Sequence, residues 1–154
     1  MNEWLKRAEK RRLEILNQVN NQTGLPTDAI EKDWWVTITL KAIFSSKFAQ
    51  HLVFKGGTSL SKAYNLIERF SEDIDLSIDR TMLGFEGELS KTQIKKLRKA
   101  SGNFIVGEFK EELISELEKL GVNKENYNLI FDDEIDDTSD PHRIELEYNS
   151  IVEA

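Results

Sequence analysis

The chain has 154 residues, a formal net charge of −7 and no cysteine. That length suits a single domain, residues 1–154, with a real core, and the missing thiols exclude disulfides and thiolate metal sites. The acidic balance argues against a nucleic-acid coat protein but leaves room for a local site.

A hydrophobic content of 39% and three tryptophans point to a globular chain. No apolar run approaches the ~18 residues of a membrane span, and the N-terminal "MNEWLKRAEKRR" lacks the apolar centre of a signal peptide. The expected setting is therefore cytoplasmic, with no membrane partner.

In chain order, residues 3–20 read as a helix with Ala8, Ile15, Leu16 and Val19 on one side. Gly24 stops it and Pro26 bars continuation. Asp28 and Glu31 have capping-box spacing for a second helix, "AIEKDWWVTITLKAIF". That helix is apolar on more than one side and should be largely buried. Its "VTIT" also suits a strand, but the length of the segment favours helix.

"HLVFK" at 51–55 reads as a short buried strand running into Gly56-Gly57. Leu60, Tyr64 and Ile67 then share one helix face. "DIDLSID" alternates, with Asp73, Asp75, Ser77 and Asp79 on one side and Ile74, Leu76 and Ile78 on the other. A glycine-containing loop follows over 81–89. Ser90 is placed to cap a basic helix through Lys99, and a further helix spans 103–120 up to Gly121. "YNLIF" and "RIELEYN" alternate as two more strands around the acidic "DDEIDDTSD". The expectation is an α+β domain with about four strands.

Two features carry chemistry. Asp73 and Asp75, two residues apart on a strand, share a face and lie close enough to repel. A divalent cation relieves that repulsion, and Mg²⁺ prefers such hard oxygen ligands while keeping positions open for substrate phosphates. The turn Gly56-Gly57-Thr58 opens a helix whose first N–H groups form a seat for phosphate, to which Thr58 or Ser59 adds a hydroxyl. Strand, turn, helix and strand would bring these features to neighbouring strand ends.

Each feature alone is weak, since acidic strand faces and Gly-Gly turns are commonplace. Together they describe a seat for a metal-bound triphosphate. Neither a P-loop nor a dinucleotide fingerprint is present.

At "KGGTSLSKAYNLIERFSEDIDLSI" the sequence resembles the AbiEii-type toxin nucleotidyltransferases of the DNA polymerase β-like superfamily, whose hallmark is a Gly-Gly turn, a helix and a "DxD" strand. "AIEKDWWVTITL" and "RIELEYNS" are similar to further family elements, the latter to the strand that holds a third carboxylate. The resemblance implies a nucleotidyltransferase core with a small mixed sheet packed against helices, and a longer family architecture of which this chain would be the N-terminal lobe.

It also implies nucleotide transfer from an NTP to an RNA acceptor such as tRNA, two Mg²⁺ ions, and a cognate antitoxin. By that likeness Asp73, Asp75 and Glu147 are catalytic and hold metal, with Glu145 the alternative to Glu147. Gly56, Gly57, Thr58, Ser59 and Lys62 would bind the nucleotide. The alternative is a non-catalytic module of the same fold that binds nucleotide or a partner. The basic block Lys91, Lys95, Lys96, Arg98 and Lys99 is a weaker candidate for phosphate contact, because any positive charge serves there. Trp34 and Trp35 read as core, and His51 and His142 as structural or surface residues.

Overall fold

The computed structural model describes residues 3–55, 74–131 and 144–152. Gly56, Gly57, Thr58, Ser59, Lys62 and Asp73 lie outside the described residues, as does the acidic stretch before Ile144.

The expected N-terminal helix forms in two pieces, α1 (Glu3–Lys6) and α2 (Glu9–Thr23). Ala8 between them is extended, at φ −58° and ψ 143°. Packing rather than propensity sets this bend. Trp4 of α1 tilts against Trp34 at 6.3 Å, and Leu5 packs on the core. Gly24 ends α2 as expected: at φ 75°, a conformation that costs other residues energy, its N–H reaches the Asn20 carbonyl at 2.8 Å.

The central helix is α3 (Thr27–Phe44), which buries Trp35, Val36, Ile38, Ala42 and Ile43. Its "VTIT" segment is helical, so length outweighed β-propensity. The expected Asp28–Glu31 capping box is absent. The helix begins at Thr27, which puts Asp28 inside the first turn. Glu31 turns inward to 2% exposure and accepts hydrogen bonds from Ser150 Oγ (2.5 Å) and the Ile151 N–H (2.9 Å).

Strands β1 (Leu52–Lys55) and β2 (Asp75–Ile78) pair antiparallel, with Lys55 opposite Asp75. Only part of β1 is buried as expected: Leu52 is 6% exposed but Val53 is 61% exposed. On β2 the alternation holds, with Ile74, Leu76 and Ile78 packed on the core. Asp79 ends this strand by capping a 3-10 turn, accepting from the Thr81 N–H (3.0 Å) and Thr81 Oγ1 (2.7 Å).

Ser90 caps α4 (Lys91–Phe104) in a reciprocal box with Gln93. The two helices expected over 90–99 and 103–120 are one rod. A π-turn at Ile105–Phe109 joins α4 to α5 (Lys110–Lys119). One extra residue rotates the following face by about 100°. Phe104 above the turn and Phe109, Leu113 and Leu117 below it are therefore all buried.

Finally, β3 (Tyr127–Phe131) and β4 (Ile144–Tyr148) pair antiparallel, setting Glu147 opposite Asn128 and Glu145 opposite Ile130. The protein is α+β. Among the described residues the strands make two antiparallel pairs rather than one small mixed sheet. Each strand takes its partner from the next one along the chain, where loop closure costs least. One core joins α3, β1, α4, α5 and β3, with β2 and β4 packed against it.

Candidate functional site

A cavity of about 1190 Å³ opens between α3, α4 and the two strand pairs. Asp75 of β2 and both Glu145 and Glu147 of β4 line it. All three side chains are exposed, and among the described residues none is held by a hydrogen bond or an ion pair of the chain. Alternation explains their position. On β2 the apolar Leu76 and Ile78 are drawn to the core, so Asp75 falls on the other face. On β4 the same rule drives Ile144, Leu146 and Tyr148 inward and the two glutamates outward.

Register also ties the cavity to the glycine turn. Lys55, the last residue before Gly56, lies directly across from Asp75. The end of β1 and the start of β2 are therefore neighbours. The seat itself and Asp73 lie outside the described residues.

Positive charge lines the cavity too. Lys32, Trp35, Val36, Thr39 and Ile43 occupy one face of α3, and Ile94, Leu97, Arg98 and Ser101 one face of α4, continued by Ile105 of the π-turn. Of the basic block only Arg98 takes part; Lys91, Lys95, Lys96 and Lys99 are exposed on the far side. Sequence reading passed over Lys32, although its spacing of three and four residues from Trp35 and Val36 put it on that face. Arg80 also lines the cavity and donates to the Gly87 carbonyl at 2.8 Å.

Other candidates resolve as structure. His51 Nδ1 lies 3.6 Å from Asp79 Oδ2 at the far end of β2. The hydrogen bonds from Thr81, with His51 adding less, hold the Asp79 carboxyl below the usual range. Trp35 is buried, stacks on Tyr148 (5.0 Å, 13° between planes) and meets Trp34 edge-on (5.1 Å, 88°).

A hard divalent cation suits this donor set, which consists of exposed carboxylates on residues lining a roomy cavity, with no ion pair to them among the described residues. Asp75 with Glu147 or Glu145 could supply two ligands, leaving positions for phosphate and water. Among the described residues there is no cluster of three or more His, Asp or Glu side chains placed to enclose an ion.

The family model described as nucleotidyl transferase AbiEii toxin, type IV TA system, matches residues 38–153. That span includes β1 to β4 and all the acidic residues lining the cavity. No curated protein and no solved structure matched the chain.

Proposed function

Since the chain belongs to the AbiEii family of nucleotidyltransferase toxins of type IV toxin–antitoxin systems, we propose that it transfers a nucleotide from an NTP to an RNA acceptor, such as tRNA, and that a cognate antitoxin restrains it. The observation that carries this reading is the cavity shared by Asp75, Glu145 and Glu147, with the entry to the Gly56-Gly57 turn paired across from Asp75. No helix among the described residues is long and apolar enough to cross a membrane. Both proposed substrates are cytoplasmic, and the reading includes that location.

In this reading, backbone N–H groups of Gly56, Gly57 and Thr58 hold the triphosphate, assisted by Ser59 and Lys62. Asp73, Asp75 and Glu147 would hold two Mg²⁺ ions. Bound there, the ions would neutralise the triphosphate and the leaving group and make the acceptor hydroxyl more acidic. Glu147 takes the proton from that hydroxyl. The acceptor oxygen bonds to the α-phosphorus as the bond to pyrophosphate breaks. Lys32 and Arg98 suit the negative charge of triphosphate or RNA backbone.

The second reading is a nucleotide- or partner-binding module of the same fold without catalysis. Thermal unfolding with each NTP, with and without Mg²⁺, separates the two when wild type is compared with Asp73→Asn/Asp75→Asn. Ligand at roughly 100 times its dissociation constant adds about 2.7 kcal/mol. For a chain of this size that is roughly 5–10 °C. A Mg²⁺-dependent rise lost in the double variant, followed by labelled transfer to tRNA, supports the enzyme. A rise indifferent to Mg²⁺ supports the binding module, and no rise with any NTP refutes the nucleotide site.

A further inference from the structure

We propose that Glu31 is a positioning residue that sets where the β4 carboxylates stand in the cavity. This rests on the role proposed for Glu147 but draws on separate observations. Glu31 lies in the early part of α3 and is 2% exposed. Buried carboxylates are normally matched by lysine or arginine. Among the described residues this one meets a hydroxyl and a peptide group instead: Ser150 Oγ at 2.5 Å and the Ile151 N–H at 2.9 Å. Ser150 Oγ in turn accepts from the Val152 N–H at 3.1 Å, which fixes the hydroxyl on its own segment.

The anchored segment is the one that leaves β4. Ser150 follows Glu147 by three residues, and Tyr148 between them stacks on Trp35. Trp35 stands one helical turn beyond Glu31, so both belong to the same face of α3. β4 is therefore gripped twice by one helix, once through a ring and once through a carboxylate. Its pairing with β3 fixes its register on the other side. An apolar contact would hold the two elements together, but it would allow them to slide. Two charge-assisted hydrogen bonds are directional and set the strand's height along α3. That height fixes the position of the Glu147 carboxylate relative to Asp75 across the cavity. Groups that hydrogen-bond a metal ligand directly typically matter 10–100-fold to metal affinity; Glu31 acts further back, through the backbone that leaves β4, and should matter less than that.

The test is Mn²⁺ binding to the whole chain, read from the electron paramagnetic resonance signal of the free ion, with unfolding midpoints measured alongside. Glu147→Gln should weaken Mn²⁺ binding about tenfold or more. Glu31→Gln should weaken it severalfold, and the double variant should lose no more than Glu147→Gln alone. Ser150→Ala, which leaves the charge unchanged, should show a smaller loss in the same direction. It carries the test if Glu31→Gln does not fold. Leu117→Val, a core change at a residue that does not line the cavity, should lower the midpoint and leave Mn²⁺ affinity intact. Wild-type affinity in both Glu31→Gln and Ser150→Ala, beside a weakened Glu147→Gln, overturns the positioning role and leaves that of Glu147 standing. Additive losses in the double variant overturn it as well. If wild type takes up no Mn²⁺, or Glu147→Gln binds it normally, the role of Glu147 fails and this proposal fails with it.

Discussion

Trp35→Ala should be among the most damaging single changes that still leave a folded chain. Trp35 is 4% exposed at the centre of α3, and its ring meets both Trp34 and Tyr148. Emptying such a site typically costs about 3–5 kcal/mol, since transfer free energy is lost and a cavity remains. Each of its two ring pairs contributes about 0.5–1.5 kcal/mol of the total. In a domain this size the unfolding midpoint should fall by roughly 6–20 °C. A fold of ordinary stability, about 5–15 kcal/mol, in general survives that loss.

The informative assay is a double-mutant cycle of Trp35→Ala with Tyr148→Ala, followed by thermal and urea unfolding. A coupling of about 0.5–1.5 kcal/mol is expected for rings in contact. Native-state hydrogen exchange should show the amides of Ile144–Tyr148 losing protection before those of α5. Zero coupling, or a midpoint loss below about 3 °C, would refute the argument that β4 leans on α3 through these rings.

Two further outcomes are expected. Ser90→Ala removes the side-chain half of the cap at the start of α4, the hydroxyl that accepts from the Gln93 N–H, and should cost about 1 kcal/mol, measurable as a lower urea midpoint with an unchanged slope. Asp79 has a depressed folded-state pKa, so its stabilising contribution is complete above its ordinary value of 3.8 and is lost as pH falls through the lower folded value. The difference in midpoint between wild type and Asp79→Asn should therefore shrink on acidification below about pH 4. A difference that stays constant down to pH 2 would count against the Thr81 hydrogen bonds as its source.

Much of the local structure was legible in the sequence because its causes are local. Alternation at Ile74–Ile78 and Ile144–Tyr148 told both strand and face. Gly24 marked a helix end, and the Ser90–Gln93 spacing marked a start. What escaped depends on partners distant in sequence. Glu31 has the spacing of a capping residue, and nothing near it reveals that it binds a segment 119 residues away. The bend at Ala8 follows from Trp4 reaching Trp34. The π-turn at Ile105–Phe109 is a register correction between two buried faces, and periodicity read it as a gap between two helices. In the site, the acidic face of β2 could be read from its spacing of two. Lys32 was hidden because an isolated lysine on an apolar helix face looks like any surface cation until the opposite wall is known.

The aromatic contacts have an optical consequence. The chain holds three tryptophans, and all belong to a single series of touching rings: Trp4 on Trp34, Trp34 on Trp35, and Trp35 on Tyr148. At 5.0–6.3 Å, excitation passes among them far faster than they emit. The indole emission of the protein therefore comes from one neighbourhood, where α1, α3 and β4 meet. The sequence thus contains its own fluorescent reporter of how those three elements pack.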